Sequence, residues 1–157
     1  MNALALLTQQ QGRQANQNGK AFEDQISQRL KSNGYVQMDH IPEEREQPFF
    51  IYQYRGTFTS IYGLPMRVDF YVWHPVKYPD GLIIECKYQE TSGSADEKFP
   101  YTIACLRKIG LQAILLLIGK GAKRCSVEWC LQQQDDQLMV FSDFESFFKA
   151  VNRGFIL

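Results

Sequence analysis

Two β-prone runs joined by a punctuated turn constrain this chain more than any other feature. Arg67-Val-Asp-Phe-Tyr-Val-Trp-His74 is rich in β-branched and aromatic residues, and so is Leu82-Ile-Ile-Glu-Cys-Lys-Tyr88. Between them, Lys77-Tyr-Pro-Asp-Gly81 carries Pro and Gly as turn residues. The two runs read as the arms of an antiparallel hairpin. Side chains alternate across a strand, so Glu85, Lys87 and Gln89 share one face of the second arm, while Ile84, Cys86 and Tyr88 take the other. On the first arm Asp69 shares a face with Arg67 and Tyr71. If pairing brings Asp69 towards Glu85, two carboxylates and one ammonium converge at a point.

Neighbouring anionic oxygens repel each other unless a cation neutralises them. A hard divalent ion such as Mg²⁺ suits carboxylate and backbone carbonyl ligands. Lys87 beside such an ion can orient a water or stabilise charge on a phosphoryl oxygen, which is the apparatus of metal-assisted phosphodiester hydrolysis. Glu-x-Lys alone arises by chance in roughly half of chains this long, given ordinary charged-residue usage. Context gives it weight. Leu82-Ile-Ile is a buried run, so charge enters where a sheet is expected to be covered, and unpartnered buried charge is costly.

The chain has 157 residues, the size of one domain, and no Pro/Gly-rich linker divides it. Lys and Arg number 17 against 17 Asp and Glu, so the net charge is zero. Neutrality argues mildly against nucleic acid, whose phosphates favour basic proteins, but local charge and bound metal outweigh the total. The longest apolar run, Ala113 to Ile118, has six residues, whereas a membrane helix needs about 20. The opening Met1-Asn-Ala-Leu-Ala-Leu-Leu-Thr8 lacks a basic start, so secretion is not expected. Cys86, Cys105, Cys125 and Cys130 then read as reduced thiols in a cytoplasmic compartment. There is no C-x-x-C pair and His40 and His74 lie far apart, so structural zinc is not expected. Nor is a Cys–His nucleophile, because Cys86 points away from the charged face and Cys105 sits in an apolar helical stretch.

Residues 8–18 are amide-rich, which makes residues 1–18 a candidate mobile arm or an arm that folds on a partner. A helix is expected from Gly19 to Ser32, burying Ala21, Phe22, Ile26 and Leu30 and stopping at Asn33-Gly34. Residues 39–47 form an acidic loop around Pro42, Pro48 to Arg55 is an aromatic strand, and Gly56 to Pro65 is turn-rich. After the hairpin, Ser94-Ala-Asp-Glu97 has capping-box spacing ahead of a helix from Pro100 to Ile109, with Gly110 as its stop. A buried strand (Ala113–Ile118), a helix (Gly121–Gln133), a strand (Leu138–Phe141) and a final helix (Asp143–Asn152) follow. The last helix puts Phe144, Phe147, Phe148 and Val151 on one face, with Ser142 as its N-cap. The order α-βββ-α-β-α-β-α implies an α/β fold, a mixed β-sheet flanked by helices.

Asp69, a stretch of β-structure, then Glu85-Cys-Lys87, preceded by a helix bearing Glu23, resembles the PD-(D/E)XK nuclease superfamily, whose fold is restriction-endonuclease-like. The likeness runs from roughly Gly19 to Asn152, and the segment Gln89 to Tyr101 is similar to a loop in its small phage and bacterial members. Size and the amide-rich start are most similar to its intron-encoded homing endonucleases. The resemblance implies that Asp69 and Glu85 bind one or two Mg²⁺, with the Cys86 backbone carbonyl as a further ligand. It also implies that Lys87 positions the attacking water, that Glu23 contributes a carboxylate to a second metal ion or behind the first metal's ligands, and that Gln89 sits at the rim near the scissile phosphate. One departure stands out. The superfamily's first motif is often Pro-Asp, whereas Asp69 follows Val68 and the literal Pro79-Asp80 lies in the turn. Strand pairing favours Asp69.

Tyr52 to Tyr62 interleaves aromatics with Gln53 and Arg55, and a two-stranded ribbon bearing Arg and Gln suits base edges in a major groove. The same stretch also reads as an ordinary half-buried strand and loop. Further candidate DNA contacts are Arg13, Lys20, Arg67, Ser92, Ser94 and Lys98, with Lys120, Lys123 and Arg124 as additional phosphate partners. Cutting both strands of a duplex needs two active sites, so a homodimer is the minimum expectation, and the homing likeness suggests a tetramer. The functional expectation is a Mg²⁺-dependent DNA endonuclease of homing type. A restriction enzyme, a junction resolvase and a non-catalytic DNA-binding module of the same fold are the alternatives.

Overall fold

The structure, a computed structural model, describes residues 3–42, 50–94, 96–154 and 157, with side chains from residue 17 onward. The chain opens with α1 (Ala3–Ser32) and β1 (Tyr35–Met38), followed by β2 (Phe50–Tyr54), β3 (Thr57–Thr59), β4 (Pro65–Arg67), β5 (Phe70–His74) and β6 (Tyr78–Tyr88). A short 3-10 turn (Asp96–Lys98) leads into α2 (Phe99–Ile109), β7 (Gln112–Ile118), α3 (Arg124–Gln132), β8 (Leu138–Phe141) and α4 (Phe144–Asn152). Six strands form one sheet in the order β1-β2-β5-β6-β7-β8, and β3 and β4 pair as a separate ribbon. β5 runs antiparallel to β6, while β6, β7 and β8 are mutually parallel, so the sheet is mixed as the element order implies.

Alternation along the central strands builds two cores. Ile84, Ile114 and Leu116 face Ile26 and Leu30 of α1 and Phe147 and Val151 of α4. Ile83, Ala113, Leu115 and Leu117 face Phe99, Ile103 and Leu106 of α2 and Cys130 of α3. β6 and β7 are covered on both sides, which explains why they read as continuous apolar runs. The same alternation decides where the polar residues of β6 point. Glu85 and Lys87 turn towards the α2 side, and Cys86 and Tyr88 towards the α1 side.

Several boundaries differ from the sequence expectation, each for a local reason. The helical backbone of α1 runs back through the amide-rich segment to Ala3. Phe22, Ile26 and Leu30 form its buried stripe, but Ala21 is exposed because it falls one position off that stripe. Tyr35–Met38 pairs parallel with β2 as an unforeseen edge strand. The turn-rich stretch folds into the β3–β4 ribbon, and the hairpin turn is tighter than expected, since β6 already begins at Tyr78. No side chain caps α2; its first turn instead carries Pro100, whose missing N–H costs nothing there. Gly110 closes α2 in the left-handed conformation. Asp143, not Ser142, caps α4, its carboxylate accepting from Ser146 N at 2.7 Å. Most of the acidic loop expected at 39–47 lies outside the described residues.

The cap assignment gives a direct check. Asp143→Ala should lower unfolding free energy by about 1 kcal/mol, while Ser142→Ala should stay within about 0.5 kcal/mol of wild type, both read from urea denaturation midpoints.

Candidate active site

The site is built where β5 ends and β6 continues. The last paired residues are Phe70 and Ile84. Beyond them Glu85 to Tyr88 keep β7 as a partner on one side and, among the described residues, have no strand on the other. The N–H of Cys86 points into that gap, and the Asp69 carboxylate takes it, Cys86 N donating to Oδ2 at 2.7 Å. In return Asp69 N donates to Glu85 Oε2 at 3.2 Å. Lys87 Nζ forms an ion pair with Glu85 Oε1. Asp69, Glu85 and Lys87 are thus brought together, as the hairpin reading required. The main-chain N–H and C=O of one strand residue project to the same side, so the Cys86 carbonyl faces the same gap.

The electrostatics follow from this crowding. Burial, and then the neighbouring Glu85, push the Asp69 carboxyl up to about 7, against the Cys86 N–H and Lys87, which act the other way. Burial pulls Lys87 down, but Glu85 and Asp69 more than offset this and hold it above its ordinary value, so it is a firm ammonium. Glu85 is only 7% exposed. Two carboxyl groups in a poorly solvated gap, one of them reluctant to ionise, form a donor set that a hard dication would satisfy. Among the described residues, no three His, Cys, Asp or Glu side chains cluster together, so such an ion would take two carboxylates and a main-chain carbonyl.

Glu23 stands on α1 and accepts a hydrogen bond from the Tyr54 hydroxyl. It lines a cleft of about 470 Å³ with Lys20, Phe22, Arg55, Cys86 and Tyr88, on the opposite side of β6 from Glu85 and Lys87. Glu23 still raises Asp69 through its charge, as the weakest of that group's influences. Arg55 lies over the Tyr54 ring at 5.1 Å and donates its main-chain N–H to Asp69 O at 2.8 Å. Among the described residues it is the one non-glycine with positive φ, at 60°, a left-handed conformation at the end of β2. The second cleft holds Glu85 and Lys87 with Arg67, Lys98, Tyr101 and Thr102. Basic side chains therefore flank the carboxylates from both faces of the sheet.

Gln89 is not at a rim. It is 7% exposed, and its Nε2 donates to Gly121 O at 3.1 Å and Gly93 O at 3.5 Å. Gly121 N donates back to Gln89 O at 2.8 Å. Gly119 has φ 99°, and a Cβ at Gly119 or Gly121 would collide with the main chain of Gln89 or Thr91. Gln89 therefore locks the loop after β6 to the loop after β7. Ser92 and Ser94 are exposed on the locked loop, and Gln53 is half-buried on β2 opposite Met38 and Tyr71. The Arg13 side chain lies outside the described residues. Asp80 is exposed on β6, five residues before Glu85, and its main-chain O accepts from the Tyr71 hydroxyl. It is not part of the carboxylate meeting.

Sequence reasoning missed Asp96. It is 4% exposed beside α3, with Oδ2 accepting from Ser126 Oγ at 3.2 Å and standing 3.7 Å from Lys123 Nζ. Its place in a capping-box pattern concealed this role.

The raised Asp69 carboxyl implies a pH dependence. Its folded value lies above the unfolded one of about 3.9, so the native state binds more protons, and stability falls as pH rises between about 4 and 7. Asp69→Asn keeps an oxygen for the Cys86 N–H and removes the charge. Melting in EDTA should show the variant gaining at least about 3 °C on wild type between pH 5 and pH 8, since about 1 kcal/mol shifts Tm by about 2–4 °C at this size. A gap that does not widen with pH would refute the buried ionisation.

Compared with known proteins, the chain matches the PD-(D/E)XK nuclease superfamily domain over residues 14–154. No curated protein matches it significantly. The mixed sheet with helices on both faces is consistent with that fold. The chain belongs to the PD-(D/E)XK nuclease superfamily.

Proposed function

We propose that the protein is a Mg²⁺-dependent endonuclease that cuts double-stranded DNA, of the homing type. The observation that carries this reading is the meeting of Asp69, Glu85 and Lys87 beside the unpaired edge of β6. Asp69, Glu85 and the Cys86 carbonyl would hold the ion. When bound, it supplies Lewis acidity towards a phosphoryl oxygen and an acidified water. Lys87, fixed by Glu85 and held protonated, orients that water by donating to it and stabilises charge developing on the phosphoryl oxygens. Glu23, tethered by Tyr54, adds negative potential from the α1 side. Arg55, Arg67, Lys20 and Lys98 flank both clefts and would take the phosphates on either side of the scissile bond. Gln89 anchors the loop that presents Ser92 and Ser94. Two such sites are needed to cut a duplex, so the active form in this reading is at least a homodimer, and a homing role would suit a tetramer.

Supercoiled plasmid incubated with the protein and Mg²⁺ should be nicked and then linearised, and EDTA should stop the reaction. Lys87→Ala should slow cleavage by about 10²–10⁴-fold. Asp80→Asn should leave the rate within about twofold, because surface groups away from the chemistry contribute little. No nicking by wild type, with Lys87→Ala indistinguishable from it, would leave a DNA-binding module. Mapping the cut ends then divides the roles. One long site in many kilobases means homing, short frequent sites mean restriction, and cutting confined to four-way junctions means resolution.

A further inference from the structure

The β3–β4 ribbon ends in an apolar tip that the hydrolytic chemistry does not use. Ile61 is 36% exposed, Tyr62 72% and Leu64 63%. These three, within four consecutive residues, make up half of the six large hydrophobic side chains exposed among the described residues. The tip is not loose. Ser60 N donates to Leu64 O at 2.9 Å, Gly63 N to Ser60 O at 2.9 Å, and Leu64 N to Ser60 Oγ at 3.3 Å. Lys108 of α2 donates to Ser60 O at 2.9 Å, and Ile61 N donates to Cys105 Sγ at 3.5 Å. Tyr62 stacks on Tyr101 with ring centroids 5.4 Å apart. Tyr101 in turn lines the cleft that holds Glu85, Lys87, Arg67 and Lys98. A rigid apolar projection is therefore separated by one aromatic ring from the candidate catalytic groups and from two cations.

We infer that the ribbon tip is a wedge that enters a base step of the bound duplex, with Tyr62 and Leu64 as the inserted side chains. The inference rests on the DNA-cleaving reading above and extends it to how the duplex is deformed. Apolar side chains pushed between base pairs unstack and kink DNA, at a cost repaid by wider contact with the protein. The neighbours favour this occupant. Arg67 and Lys98 would hold phosphates next to the opened step, and the Tyr62–Tyr101 stack offers a π-face to the freed base. A second copy of the chain fits less well. Three side chains of this size offer on the order of 400 Å² at most, against about 800 Å² per partner in a stable dimer.

The test reads unwinding and cutting on the same plasmid. Insertion between base pairs unwinds the duplex. With Ca²⁺ in place of Mg²⁺ and saturating protein, a type IB topoisomerase should leave a shifted topoisomer distribution. Tyr62→Ser/Leu64→Ser should abolish the shift and weaken duplex binding about 5- to 100-fold. Tyr62→Trp, which keeps the ring, should retain the shift. An unchanged melting temperature shows that the exposed tip was altered without unfolding. Plasmid cut in Mg²⁺ with no shift, or an equal shift in the double variant, overturns the wedge and leaves the nuclease reading intact. A shift without any cutting keeps the wedge and removes the catalytic reading. A dimer that dissociates on Tyr62→Ser/Leu64→Ser in sedimentation, with unwinding unchanged, assigns the tip to a second copy and overturns the wedge.

Discussion

One strand outruns its neighbour, and the rest of the site depends on that. β6 continues for four residues past its last pairing with β5, which exposes a main-chain edge that must find partners. The Asp69 carboxylate satisfies the Cys86 N–H, and the Glu85 carboxylate satisfies the Asp69 N–H. Each acid is thereby fixed by the backbone that carries or adjoins the other. The arrangement stabilises the edge and forces two carboxyl groups into a gap that water solvates poorly. The raised Asp69 carboxyl records the cost, and Lys87 offsets part of it. A site that strains its own charges in this way is prepared for a cation, since electrostatic preorganisation is set during folding rather than at the moment of reaction.

The surroundings hold that gap open. Parallel pairing with β7 fixes Glu85 opposite Leu115 and Lys87 opposite Leu117, both buried, so the polar side chains rise from an apolar floor. On the other face, α1 reaches the site through Glu23 and Tyr54, and Arg55 ties the end of β2 to the Asp69 main chain. The carboxylates are therefore referenced to both helical layers, so a shift of either layer would be felt at Asp69.

The pairing of Glu85 with Lys87 was legible from strand alternation and the approach of Asp69 from the hairpin, but the run Arg67–His74 is not one strand: it breaks after Arg67, and Asp69 sits in the bend before β5, where its carboxylate reaches the Cys86 N–H. Leu138–Phe141 and the stops at Gly34 and Gly110 were legible from local pattern. Tyr35–Met38 was not, because two of its four residues are exposed and its pairing with β2 comes from tertiary contact rather than local pattern. The β3–β4 ribbon was hidden by Gly56, Gly63 and Pro65, which signal turns and leave only three-residue strands between them. Ser142 and Asp143 are both good caps, and only backbone geometry chooses between them. Gln89 reads from the sequence as an open position, since sequence cannot show that two glycine loops close over it.

The closure around Gln89 also bears on how such a protein can diversify. Positions 119 and 121 accept no side chain without displacing main chain, so the junction between the two loops is frozen. Ser92 and Ser94, just beyond Thr91, are exposed. Substitution is therefore cheap at the exposed Ser92 and Ser94, while the root of the loop and its spacing to Lys87 are held by main-chain contact.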